Sequence, residues 1–144
     1  MHDLHNHVSL KRVVDSAAIG ANATKTGLVV DRQNFGGVEF ILNYGAVTTT
    51  GTIVTVVAKE GDATGTLTSV ADGDLIGTEV LASLLAATPR ASNTTKLVWK
   101  RLGYKGKKRY VSLDLVQTGV TSVGYVSVVA ALHSPRVAPV DNPG

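Results

Sequence analysis

Three histidines, His2, His5 and His7, stand close together near one end of a 144-residue chain. Imidazole is a common ligand for zinc and copper, so such a cluster raises the question of a metal site. A working site would need these rings fixed in space beside a further ligand, and a terminus fixes little unless it is tied down. His5 and His7 are therefore read as partner-contact residues, and no metal is expected. His133 stands alone near the other end and reads as a satisfied or contact residue.

Other residue types that do chemistry give equally plain readings. Asp72 and Asp74 flank a glycine in "VADGDLIG", a faint echo of a calcium loop. An EF-hand needs a bidentate Glu at the twelfth position, and that position, counted from Asp72, is Ser83. A turn is expected there instead. The chain has no cysteine, which excludes a disulfide framework and a thiolate site. It also lacks a G-x-S-x-G elbow, a phosphate-binding G-x-x-x-x-G-K-[ST] and a G-x-G-x-x-G. No pair of carboxylates lies in an aromatic-lined stretch of the glycosidase kind. No enzyme and no cofactor are expected.

The strongest charge signal is "GYKGKKRYVSLDL", Gly103 to Leu115, in which Lys105, Lys107, Lys108 and Arg109 fall between Tyr104 and Tyr110. Basic residues and aromatic faces at a β-turn would suit a nucleic-acid strand. Against this, aromatic residues are 5% of the chain and its other basic residues are scattered. The glycines permit a turn, and lysines keep a sheet edge soluble and unpaired. The stretch is read as the tip of a β-hairpin, solvated or facing an acidic protein surface.

These residues must be positioned by a scaffold, and composition bounds what it is. Hydrophobic residues make up 44% of the chain and charged residues 17%, against roughly 25% in typical soluble domains. So sparing a use of charge points to a surface partly covered by a partner. The length suits one domain. A net charge of +3 is too mild to imply nucleic acid by itself. No apolar run approaches the roughly 18 residues of a membrane span. "MHDLHNHVSLKRVV" lacks the order of a secretory signal, so synthesis in the cytoplasm and no membrane association are expected.

Valine, threonine and glycine dominate, with a period of two in several places. Val38, Phe40, Leu42 and Tyr44 share one face, as do Val111, Leu113 and Leu115. A long strand is expected from about Thr50 to Lys59, with shorter ones at Val8 to Val14 and Gly27 to Asp31. "GAVTTTG" reads as a hairpin connection. "GYVSVVAAL", Gly124 to Leu132, reads as a central strand buried on both faces. Residues 78–88 have near-helical apolar spacing, and both a short helix and an extended segment remain open. The proline-rich "HSPRVAPVDNPG" reads as an arm. The expected architecture is an all-β sandwich of jelly-roll type with a core over about 8–134 and terminal arms at 1–7 and 135–144.

Several pieces in order, "DRQNFGGVEFILNYG", "VVAKEGDATG", "VADGDLIGTE", "LGYKGKKRYVSL" and "ALHSPRVAPV", resemble a family of small tailed-bacteriophage virion proteins. Asp31, Arg32, Gln33, Gly77, Gly103, Tyr104, Arg109, Tyr110, His133, Pro135 and Arg136 carry the resemblance, which covers roughly His5 to Val140. It implies a head decoration or cement protein that binds the outside of the shell and stabilises the capsid. The implied partners are the major capsid protein and further copies of this chain, a trimer before a dimer. The implied location is the head surface of the virion, and nucleic acid is not an expected partner. Contact candidates are His5, His7, Lys105, Lys107, Lys108, Arg109, His133, Pro135 and Arg136. A tail or connector component, a nucleic-acid-binding β-domain using the basic stretch, and a carbohydrate-binding module are the alternatives.

Overall fold

A computed structural model of the chain describes residues 3–45, 47, 50–85, 97–121 and 123–140. Its strands are β1 (Ser9–Ile19), β2 (Ala23–Lys25), β3 (Val30–Asp31), β4 (Phe35–Gly45), β5 (Ile53–Gly61), β6 (Thr68–Ser69), β7 (Leu75–Ile76), β8 (Val98–Tyr104), β9 (Tyr110–Thr118) and β10 (Gly124–Pro135). They form two antiparallel sheets, so the chain is all-β. One sheet has the order β1-β10-β4-β8-β7 and the other β2-β9-β5-β6, with β3 also paired to β9.

The core lies between the sheets and is built by alternation. Val38, Phe40, Leu42 and Tyr44 of β4 point inward and are fully buried, as are Val126, Val128, Ala130 and Leu132 of β10. Val54, Val56 and Ala58 of β5 and Val111, Leu113 and Leu115 of β9 face them from the second sheet. Burying an aliphatic side chain of this size contributes about 1.5–3 kcal/mol before entropy is counted. β1 departs from strict alternation, since its successive residues Val13 and Val14 are both buried. Register shifts against β10 between Arg12 and Val14 and between Val14 and Ala17 turn both toward the core.

Several local expectations change. The Gly103–Leu115 stretch is not a hairpin: β8 belongs to one sheet and β9 to the other, so the basic loop is a crossover. β4 and β5, on either side of "GAVTTTG", likewise belong to different sheets and do not form a hairpin. A glycine-bearing turn between alternating runs signals a reversal of direction and does not encode which sheet receives the second strand. β10 is central but buried on one face, with Tyr125 exposed on the other. β9 is the strand buried on both faces, because Ser112 and Asp114 on its outer face lie under the Thr26–Leu28 segment.

Residues 78–85 combine both local readings. Thr78 caps one helical turn, α1 (Glu79–Ala82), accepting from the Leu81 N–H at 3.1 Å. The chain then extends, and Leu84 pairs with Val54 through two backbone hydrogen bonds of 3.0 and 2.9 Å. Residues 86–88 of that expectation lie outside the described residues, as does His2. At the C-terminal side, β10 continues through Pro135, which stands opposite Phe35, and the Val140 N–H donates to the Asn6 carbonyl at 3.0 Å. The segment after β10 therefore folds back onto the residues that precede β1.

Candidate functional site

One end of the sandwich gathers the start of β1, the end of β10, the β3–β4 turn and the β8–β9 crossover. Pairing fixes this: Leu132 of β10 stands opposite both Ser9 and Val38, and Val38 stands opposite Tyr104. Loops that leave these strands at that row must emerge together.

Arg32 organises the end. Its Nε donates to the Lys108 carbonyl at 2.6 Å, and its Nη2 donates to the Gly106 carbonyl at 2.5 Å. Its Nη1 donates to the carbonyls of Phe35 and Gly36 at 3.1 and 3.4 Å. The guanidinium also lies 5.2 Å from the centre of the Tyr104 ring. Tyr104 is buried beneath the loop, where its hydroxyl donates to Glu60 and accepts from the Lys108 N–H. Burial and the Glu60 carboxylate both push this phenol above its ordinary range. A Cβ on residue 106 would fall 2.4 Å from the Tyr104 hydroxyl, so the crossover needs glycine at Gly106.

The four basic residues of the crossover have different surroundings. Arg109 holds Asp31 through two hydrogen bonds and lies 5.0 Å from the centre of the Tyr110 ring. That hydrogen bonding keeps the Asp31 carboxyl below its usual range. Lys108 pairs with Asp62. Lys105 and Lys107 have no salt bridge among the described residues, and the Lys105 N–H donates to the Asp74 carbonyl at 2.9 Å. This last bond ties the crossover to the Asp72–Asp74 turn, a single turn of 3-10 helix.

Lys107, Arg109 and Arg136 come together with Arg32 around a surface depression of about 230 Å³, whose rim includes Gln33, Asn34 and Phe35. These last three residues also line a larger groove of about 820 Å³ between the start of β1, the β3 region and the C-terminal segment. Lys11, Arg12, Leu28, Val29, Pro135 and Val137 contribute to its walls. His5 and His7 flank Asn6, the residue that the Val140 N–H reaches. The His7 Nδ1 lies 2.7 Å from the Asp3 carbonyl. His133 sits on β10 opposite Gly37, its Nδ1 3.0 Å from the Ser134 hydroxyl. Among the described residues no three His, Asp or Glu side chains converge as a metal site would require, and no helix is long and apolar enough to cross a membrane.

No protein-family model and no curated protein matches the sequence. Among solved structures, the crystal structure of the PBSX exported protein XepA is similar to this chain, with a TM-score of 0.57 and 13% sequence identity. The likeness covers 99% of this chain and 42% of that protein, so this chain spans less than half of its neighbour's length. What the two share is a fold.

Arg32 was absent from the sequence-derived contact residues. Its only sequence signal was its place in "DRQN", just before a glycine-rich strand start, because its acceptors are main-chain carbonyls that leave no trace in residue types. The acidic partner Asp31 reads in the sequence as a strand end and Asp62 as part of an acidic turn, and neither reading shows an ion pair. Their pairing with basic residues more than forty positions away is a product of the sheet crossover.

Proposed function

We propose that this chain is a non-catalytic structural protein of a tailed-phage particle. In this reading it is a decoration or cement protein of jelly-roll type on the outside of the head. The strand order supports the jelly-roll assignment. With β2 and β3 counted as one interrupted strand, eight strands fall into the two four-stranded sheets of that fold, with β7 as an extra edge pairing. The neighbour's description as a phage exported protein agrees with a phage origin.

The observation that carries the reading is the convergence at one end. Basic side chains, a groove of mixed polar and aliphatic lining, and the segments before β1 and after β10 all meet there, as a contact surface for a larger assembly requires. Shell attachment needs buried area and complementary charge rather than a reactive group. The partners in this reading are the major capsid protein and further copies of this chain, with a trimer favoured. The pairing of Lys108 and Arg109 with carboxylates leaves only part of the basic crossover's charge for a phosphate backbone, which weighs against the nucleic-acid alternative.

Quantitative mass spectrometry of purified particles tests this. Copies of this chain equal to the major shell protein, or a fixed large fraction of it, are expected. A handful of copies would move the chain to the tail or connector, and absence from the particle would overturn the structural role.

A further inference from the structure

We propose that the depression around Lys107 and Arg136, together with the adjoining groove, receives an extended acidic segment of a partner protein, its carboxylates seated among the cationic side chains. The identity of that partner as the shell protein rests on the function proposed above; the chemistry of the site does not.

Charge is the first argument. Four cationic side chains, Arg32, Lys107, Arg109 and Arg136, line the depression, and among the described residues the one carboxylate paired with any of them is Asp31, held by Arg109. Among the described residues every acceptor of Arg32 is a neutral carbonyl, so its charge is fixed in place and no carboxylate there neutralises it. Lys107 and Arg136 have no salt bridge among the described residues. A fold that holds like charges together presents a ready field for an anion, and lysine and arginine donors suit a carboxylate.

The surroundings select a peptide over a nucleic-acid strand. A strand of bases would need open aromatic faces. Here Tyr104 is buried and has Arg32 beside its ring, while Tyr110 has Arg109 beside its own. The adjoining groove offers aliphatic side chains instead: Leu28, Val29 and Val137 are exposed along it. It also borders β1, an edge strand with no strand on its outer side among the described residues. The nearest pairing on that side is the Leu28 N–H to the Val13 carbonyl at 2.7 Å, which leaves the Ser9–Arg12 edge unpaired by any strand. Such an edge accepts an extended segment by main-chain pairing, with alternate side chains reaching the groove. Lys11 and Arg12 continue the basic lining along this path.

The test is titration of the isotope-labelled protein with a synthetic peptide of alternating valine and glutamate, six residues long, followed by NMR. A peptide with glutamine for glutamate and a single-stranded octathymidylate serve as comparisons. Binding is expected for the glutamate peptide, with amide shifts at Lys107, Arg136 and Ser9 to Arg12. The paired substitution Lys107→Glu with Arg136→Glu is expected to weaken it by about tenfold or more. Lys107→Gln with Arg136→Gln is expected to weaken it less, and it serves alone if the charge reversal unfolds the chain. No binding at millimolar peptide, equal binding of the glutamine peptide, indifference to both paired substitutions, or tighter binding of the oligonucleotide would each overturn the site. A chain found on phage heads that ignores the peptide would lose this site and keep the proposed function. A chain that binds the peptide but is missing from particles would do the reverse.

Discussion

Arg109 grips Asp31 through a two-pronged contact, Nε to Oδ1 at 3.0 Å and Nη2 to Oδ2 at 2.7 Å. The pair joins the end of β3 to the residue just before β9, beside the backbone bond from the Arg32 N–H to the Arg109 carbonyl at 3.0 Å. One quarter of the basic crossover's charge therefore serves to close the fold, while Lys105 and Lys107 are left to face outward. Both members of the pair are nearly half exposed, so the contact orders the loop more than it stabilises the domain.

Substitution of Asp31 should alter the acid limb of stability. The Arg109 hydrogen bond holds the folded carboxyl below its ordinary value of 3.8, so the unfolded chain binds more protons in that range. The contribution is present above 3.8 and is lost as the pH falls through the folded value. Asp31→Asn should be slightly less stable than the wild type at neutral pH, and the difference should shrink in acid. Urea midpoints measured from neutral pH down into the acid range check this; a constant gap across the range would count against the pair.

Tyr104→Phe removes one hydroxyl and disturbs two groups. Glu60 loses a donor, and the Lys108 N–H loses its acceptor beneath the loop. The expected loss is about 1–2 kcal/mol, with faster amide exchange at Lys108. The same hydroxyl matters in alkali. Burial holds Tyr104 and Tyr44 above their ordinary value of 10.0, so above that pH the unfolded chain gives up protons that the folded chain keeps. Stability should fall as the pH rises past 10.0, and the phenylalanine variant should show a shallower fall.

The inward residues of β4 and β9 were legible in the sequence because a period of two is set by the pleat itself. The double burial of β9 was not. Ser112 and Asp114 fall on the face opposite Val111, Leu113 and Leu115, yet both are buried because Gly27 crosses over them. Nothing local to β9 encodes a cover supplied by residues more than eighty positions away. The basic residues of the crossover were equally visible as a charge run. Which of them was paired depended on the chain changing sheets between Tyr104 and Tyr110, and the turn chemistry there is compatible with either path.

Gln117 offers a stabilising substitution. It is buried near the end of β9, and its side-chain nitrogen has no hydrogen-bond partner among the described residues. A buried donor left unsatisfied costs about 1–3 kcal/mol, which an apolar side chain of similar length avoids. Gln117→Met should raise the thermal midpoint by a few degrees, corresponding to about 1 kcal/mol. A lower midpoint in a calorimetric scan would show that the amide's oxygen contributes more than its nitrogen costs.

Gly27→Ala should be a strongly damaging small change. A Cβ at this position would lie 2.3 Å from the Leu113 carbonyl oxygen and 2.8 Å from a Val13 methyl carbon. The first obstacle is backbone in the middle of β9 and has no rotamer by which to move. The Gly27 N–H donates to Asp114 at 3.2 Å, and its carbonyl accepts from the Ser112 hydroxyl at 2.9 Å. Displacing the segment would strip both buried side chains of a partner and weaken the seat of the Lys59–Asp114 ion pair, 2.9 Å across. Steric strain of this kind costs about 1–3 kcal/mol, and each stranded polar group adds about 1 kcal/mol or more. Gly27→Ala should therefore lose about 3 kcal/mol or more in urea unfolding. Gly65→Ala, where a Cβ meets nothing within 4 Å, should stay near the wild type. Equal midpoints for the two variants would mean that Gly27 does not press on β9, and that the buried polar face of that strand is held by other contacts.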